Sequence, residues 1–210
     1  MLVFYYAPGT CALASHIALE DAGAEFSLRR IDFDKEEQHS AGYLAINPKG
    51  RVPALVTPYG VLTETPAILA YVAQMYPAAQ LAPLDDAFAF GQVQGFNSYI
   101  CSTLHVAHAH RTRSYRWADE PEAIAAMQRK VPDSVCACYA YIEDQAFVGP
   151  FVMGEKYTIA DPYLFTVMQW MEADGVDPAR FPKIAAHRKM MQQRKSVQNA
   201  LRAEFDEAGA

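Results

Sequence analysis

Up to about residue 76, short apolar runs alternate with amphipathic stretches. Beyond residue 86 only helical periodicity is left, and that change limits the possible folds more than any other feature of the chain. Residues 2–7, LVFYYA, form a continuous apolar run, which predicts a strand covered on both faces. Pro8-Gly9 then makes a turn, and from Cys11 the pairs Leu13/Ile17 and Ala14/Ala18 recur at helical spacing until Gly23 offers a left-handed stop. EFSLRRIDF (25–33) predicts a second strand, and KEEQHSAGYLAI (35–46) a short helix. VPALVTPYGVLTE reads as a β-hairpin turning at Thr57-Pro58-Tyr59-Gly60. TPAILAYVAQMYP follows as a helix with Ile68, Leu69, Val72 and Met75 on one stripe. The order is βαβαββα, a small sheet with helices against it.

The segment 77–86, PAAQLAPLDD, is rich in proline and acid, which marks a connection. The expected division is an α/β domain over residues 1–77, a linker over 78–86 and an all-helical domain over 87–210. Helices are expected at about 86–112, 121–147, 159–172 and 182–205, the second kinked by Pro132. Thr158 and Asp161 form a capping box with Asp in place of Glu, a structural device with no chemical role. Eighteen basic against twenty-four acidic residues give a net charge of −6, which argues against a nucleic-acid partner. The apolar start lacks a basic leader, and no apolar run is long enough to span a membrane. The four cysteines lack the spacing of a disulfide scaffold, so a reducing cytoplasm is expected, with Cys136 and Cys138 read as small buried hydrophobes rather than a metal pair.

Three short stretches carry chemistry. Cys11 stands in the first turn of its helix behind Thr10, the expected N-cap, where unpaired amides and the positive helix end favour anionic sulfur; the alternative is a packed small hydrophobe. Val52-Pro53 opens a strand, which suits either a cis bond that turns the Val52 peptide groups outward or an edge strand. Glu64 and Thr65 open the next helix, with Thr65 expected to cap it, its amides open to a carboxylate, and Glu64 placed to hold an ammonium group. Together they describe a site for a short ligand bearing a thiol, peptide groups and an amino-acid end.

YYAPGTCALASHIAL, YLAINPKGRVPALV, LTETPAILAYVA and MGEKYTIADPYLF resemble the cytosolic glutathione transferases of the bacterial, beta-like group over nearly the whole chain. The resemblance implies a thioredoxin-like domain followed by an all-helical one, assembled as a homodimer, with glutathione as co-substrate and no metal. It further implies that Cys11 contacts the glutathione sulfur and can form a mixed disulfide with it. Val52 would pair with the cysteinyl backbone beside a cis Pro53, Glu64 and Thr65 would bind the γ-glutamyl end, and Lys35 the glycine carboxylate. His105 lies where the group has a histidine near the thiol, seven residues after Ser98, where asparagine is more usual. Val106 replaces a frequent lysine, and Asn97 would substitute for the missing amide only with a shift in register.

Other readings compete for neighbouring residues. Tyr5 and Tyr6 end the first strand, where other transferase classes keep a catalytic tyrosine; Tyr6 is either that hydroxyl or a buried aromatic. Thr10 could play a serine's part or simply cap its helix. His105 and His108 are spaced i, i+3, as a metal pair or as residues lining a pocket, and His110 points elsewhere. Arg111 and Arg113 are solvated helix-end residues or dimer contacts, or else they orient an acidic substrate. Tyr115 and Trp117 wall a second-substrate pocket or pack a seam between domains. The expected activity is conjugation of the glutathione thiolate to an electrophilic small molecule, with thiol-disulfide exchange through Cys11 as a companion reaction; a non-catalytic ligand-binding or scaffold protein is the alternative.

Overall fold

A computed structural model describes residues 1–205. The first part follows the expected order: β1 (Leu2–Tyr6), α1 (Ala12–Asp21), β2 (Phe26–Arg30), α2 (Ala41–Leu44), β3 (Ala54–Thr57), β4 (Gly60–Thr63) and α3 (Thr65–Met75). The strands form one mixed sheet in the order β2-β1-β3-β4, with β1 parallel to β2 and antiparallel to β3, and β3 antiparallel to β4. The two-residue connection Pro58-Tyr59 closes the hairpin, as expected.

β1 departs from the expected two-sided burial. Leu2, Phe4 and Tyr6 are buried, while Val3 and Tyr5 on the other face are only half covered, Tyr5 by the ring of Tyr43 on α2. A single four-residue helix cannot shield that face as α1 and α3 shield the first. α1 is buried from Ala12 to Leu19 because its two stripes serve two cores. Ala14 and Ala18 pack with Phe4 and Leu69, and Leu13 and Ile17 pack with Phe165, Met191 and Val197 from the helical part. Gly23 ends α1 at φ +62°, with its amide bonded to the Glu20 carbonyl and that of Ala24 to Leu19. On α3, Ile68, Leu69 and Val72 are buried, but Met75, in the last turn, is exposed.

The remainder is helical: α4 (Ala87–Tyr99), α5 (His105–Arg113), α6 (Pro121–Tyr141), α7 (Ala160–Met168), α8 (Pro182–Gln192) and α9 (Lys195–Phe205). The Asp86 carboxylate caps α4 through the amides of Phe88 and Ala89. α6 runs through Pro132. The helix expected over 86–112 is interrupted by a π-helical turn, Ile100–Leu104, and a second such turn, Ile142–Ala146, follows α6. Each inserts one residue beyond the α repeat, which a 3.6-residue reading does not register. α1 is also tied to the last helices by polar groups. His16 Nδ1 lies 3.0 Å from Glu204 Oε1, both wholly buried, and Arg194 reaches Asp21 at 2.8 Å.

Candidate functional site

Cys11 follows the Pro-Gly turn directly and stands at the N-cap of α1, with no side-chain cap of its own. Thr10 is not the N-cap, yet its hydroxyl does part of that work: it donates to the Ala7 carbonyl at 2.7 Å and accepts from the Ala12 amide at 3.3 Å. With its hydrogen so engaged, Thr10 is not poised to donate to a second molecule.

The Cys11 Sγ donates to the Val52 carbonyl at 3.7 Å, and the Thr65 side chain hydrogen-bonds the same thiol. The loop carrying Val52 is held from behind. Tyr43 Oη and Asn47 Nδ2 both donate to the Arg51 carbonyl at 2.6 Å. Gly50 there sits at φ +60°, where a Cβ would meet the Gln38 carbonyl at 3.0 Å. The Val52–Pro53 bond is cis. Thr65 does not cap α3 but is its first residue, because Glu64 in front of it has φ +73° and occupies the N-cap without a side-chain bond. Buried and turned inward, the Thr65 hydroxyl serves the sulfur instead. Glu64 is exposed, and its carboxylate is already paired with the Lys49 ammonium at 3.2 Å.

The surroundings of Cys11, a half-buried residue, run against the expectation of an activated thiolate. Burial pushes the thiol up to about 11, the Thr65 hydrogen bond opposes this, and Cys101 and Glu64 add to it. The helix end is present, but removing water from the sulfur outweighs it. Sequence reasoning passed over two neighbours of this sulfur. Cys101, in the π-helical turn, is itself raised by burial and hydrogen-bonded by Tyr163, and Tyr163 is a buried residue of α7 electrostatically coupled to Cys11 and Glu64. The spacing of Cys101 four residues before His105 is the one signal in the sequence that could have drawn it in.

His105 opens α5 with its ring 5.0 Å from that of Trp170. Burial holds its imidazole down to about 4, with His108, Arg113, Arg116 and Arg51 acting in the same direction. It is therefore neutral at pH 7. Trp170 is a third residue the sequence did not flag: its Nε1 donates to the Gly9 carbonyl at 3.0 Å, two residues before Cys11, so it joins the helical part to the turn that places the thiol. His108 stacks on the same indole at 4.2 Å, and its Nδ1 lies 2.9 and 2.8 Å from the two oxygens of the buried Asp174, which also pairs with Arg111 Nε at 3.0 Å. That pairing ties His108 and Arg111 to a structural carboxylate and commits one nitrogen of the expected histidine pair elsewhere. Among the described residues no group of three His, Cys, Asp or Glu side chains could hold a metal ion.

The remaining expectations fall into place unevenly. Tyr6 is buried on the helix-covered face of the sheet with its ring against His16, the packed reading of that aromatic. Lys35 is exposed and paired with Asp32 at 3.0 Å rather than with any residue of the Cys11 cluster. Ser98 is exposed, its carbonyl accepting from Ser102, whereas Asn97 beside it is fully buried, with neither amide atom bonded within the protein. The π-helical turn explains the exchange. Seven residues on a straight helix share a face, but one inserted residue lines His105 up with position 97 instead of 98. Tyr115 and Trp117 are exposed at 59% and 48%, with Trp117 edge-on to His110 and Tyr115 hydrogen-bonded to Arg113 and Arg116. Cys138 is buried, and Cys136 half-buried, on α6.

The depressed His105 makes a pH prediction. Its folded value lies below the unfolded one near 6.5, so the unfolded chain binds the extra proton between the two values, and stability is lost as pH falls from about 6.5 toward 4. Between pH 7.5 and 4.5 the protein should lose about 2–3 kcal/mol more than His105→Gln does, read from urea unfolding at both pH values. Equal losses would show that the ring is not held neutral.

The fold matches known proteins over the whole chain. Residues 1–74 fit the family model for the glutathione S-transferase N-terminal domain. Glutathione S-transferase GstA of Escherichia coli O157:H7 is 35% identical over 204 residues, which cover 95% of this chain and 97% of that one. Among solved structures, a glutathione transferase homologue from Sulfitobacter with bound glutathione superposes with a TM-score of 0.92 at 43% identity, covering 100% of this chain and 98% of that one. A bacterial beta class glutathione S-transferase from Sphingomonas chungbukensis gives 0.77 at 31% identity, covering 97% and 98%. The chain belongs to the glutathione S-transferase family.

Proposed function

We propose that this protein binds glutathione along Val52, Pro53, Glu64 and Thr65, with the glutathione sulfur beside Cys11, and transfers it to electrophilic small molecules. In the reaction the glutathione thiolate forms a bond to the electrophilic carbon, the leaving group departs with its electron pair, and the thiol proton passes to solvent. The observation that carries this reading is the meeting of three chain segments at one sulfur: the start of α1, the Val52 carbonyl at 3.7 Å and the Thr65 side chain at the start of α3. Neutral His105 packs on Trp170, the indole that bonds the Gly9 carbonyl, and Lys49 offers an ammonium beside Glu64. Thiol-disulfide exchange through Cys11 is the second reaction the same site would support.

Residues 1–77 form the glutathione-binding domain in this reading, 78–86 the linker, and 87–210 the domain that shapes the second-substrate pocket. The protein works as a homodimer in the cytoplasm, in detoxification. Among the described residues no helix is long and apolar enough to cross a membrane. Titration calorimetry with glutathione, paired with steady-state turnover, tests the assignment. Saturable heat and glutathione-dependent conversion of at least one aryl halide, epoxide, hydroperoxide or mixed disulfide are expected. Binding of apolar ligands without any such turnover would favour the scaffold alternative.

A further inference from the structure

The turn that places Cys11 is held partly from the helical part of the chain. Within the turn, the Thr10 hydroxyl ties the Ala7 carbonyl to the Ala12 amide. Gly9, at φ +72°, stands ahead of α1, and its carbonyl takes the Trp170 Nε1 hydrogen at 3.0 Å. An indole aims its N–H only as well as its ring is fixed, so the question is what fixes Trp170. Trp170 follows α7 in a tight turn that the Asp174 amide closes on the Trp170 carbonyl at 3.0 Å and the Val176 amide closes on the Met171 carbonyl at 3.0 Å, with Gly175 at φ +77°. This turn offers α5 two groups, the indole face and the Asp174 carboxylate, whose side chain is 1% exposed. His108 takes both. Its ring lies on the indole at 4.2 Å between centroids and 18° between planes, and its Nδ1 donates to Asp174 Oδ2 at 2.8 Å. Arg111, one turn further along α5, brings its Nε to 3.0 Å from Oδ1 and balances the buried charge. A ring stack is weakly directional, whereas the bond at Nδ1 fixes the rotation of the imidazole and with it the seat of the indole. His105 meets the same indole at 5.0 Å but tilted by 48°.

We propose that His108, held by Asp174, is a positioning residue for the glutathione reaction: through the Trp170 indole it fixes the Gly9 carbonyl, and hence where Cys11 stands against Val52 and Thr65. The effect on turnover rests on the glutathione reading above, whereas the effect on Cys11 rests on the fold alone. Cys11 lies two residues beyond Gly9, so a turn released at Gly9 shifts the sulfur and the start of α1 together. Val52, Glu64 and Thr65 belong to other segments, with Val52 following the Arg51 carbonyl that Tyr43 and Asn47 pin from behind. Losing the hold should therefore disturb orientation at the reacting sulfur and leave the grip on the rest of glutathione intact.

Two variants cut the chain at different links. Trp170→Phe keeps an aromatic ring and removes the N–H, and His108→Leu removes both the stack and the bond to Asp174. The first readout needs no glutathione: alkylation by iodoacetamide at pH 8, followed on the Cys11 peptide against the buried Cys138 peptide by mass spectrometry. In both variants Cys11 should react about five-fold faster, the scale of one lost hydrogen bond, with Cys138 unchanged. An unchanged Cys11 rate would mean that the turn holds itself, and equal rises at both cysteines would mean general loosening; either result overturns the proposal. The second readout is steady-state turnover of 1-chloro-2,4-dinitrobenzene. In His108→Leu kcat should fall about ten-fold while the KM for glutathione stays within about two-fold, and a change confined to KM would overturn the positioning role. If the parent turned over no electrophile, the glutathione reading would fail, and the alkylation ratio would still decide whether His108 and Trp170 set the place of Cys11. Should His108→Leu fail to fold, His108→Asn, which keeps a donor for Asp174 and loses the stack, is read by the same two measurements.

Discussion

Asp161→Ala should destabilise the protein by about 4 kcal/mol. The carboxylate is fully buried. Its Oδ2 accepts from the Thr158 amide at 2.7 Å, and its Oδ1 accepts from the Val152 amide at 2.8 Å and lies 3.0 Å from His187 Nε2. One side chain thus starts α7, fixes the turn around Val152 and holds α8. Truncation to alanine strands three buried donors at once, each of which costs about 1–3 kcal/mol when left unsatisfied. Urea unfolding followed by circular dichroism should show the loss, with a fall in Tm of roughly 10 °C for a chain of this size. Asp161→Asn keeps one acceptor oxygen and should lose about half as much. A Asp161→Ala variant within 1 kcal/mol of the parent would mean that water replaces the carboxylate at no cost.

The same residue illustrates how far a sequence can be read. Its local half was partly legible: the Asp161 carboxylate does reach back to the Thr158 amide, although the N-cap of α7 is Ile159, the Thr158 hydroxyl takes the Ala160 amide and the Asp161 amide goes to the Thr158 carbonyl. The distant half was not, because nothing in the chain marks Val152 or His187 as partners. Local punctuation likewise placed β1, the Pro-Gly turn, Gly23, the hairpin and Val52-Pro53, where each signal acts within a few residues. Three kinds of information escaped. An inserted residue in a π-helical turn leaves no compositional trace, so counting seven from Ser98 to His105 picked the exposed residue instead of Asn97. Contacts across more than sixty residues, such as His108 with Asp174, or 161 residues, such as Trp170 with Gly9, depend on packing rather than pattern. A helix start can be read from residue types, but what covers it cannot.

That last gap sets the second large prediction. A cysteine at a helix N-terminus in water would have a lowered pKa and would react nearly as fast at pH 8 as at pH 10. In this fold burial dominates and raises the thiol to about 11. Only the thiolate is a nucleophile, so Cys11 should be alkylated by iodoacetamide at a rate that rises about tenfold per pH unit from 7 to 10 without levelling, measured on the Cys11 peptide by mass spectrometry. Oxidised glutathione should form a mixed disulfide with the same dependence: the Cys11 thiolate attacks one sulfur of the disulfide, and one glutathione thiolate leaves. Cys11→Ala should abolish that adduct, and an adduct that persisted in the intact mass would move the reactive thiol to Cys101, Cys136 or Cys138, which peptide mapping would tell apart. A rate that levelled below pH 8 would show that the helix end and Thr65 together outweigh desolvation. Because glutathione's own thiol is not subject to that burial penalty in solution, conjugation at neutral pH draws its thiolate from glutathione. In the proposed reading Cys11 and Thr65 would then serve as a wall and a hydrogen-bonding group for the incoming sulfur, and the covalent reaction of Cys11 would gain ground only as the pH rises.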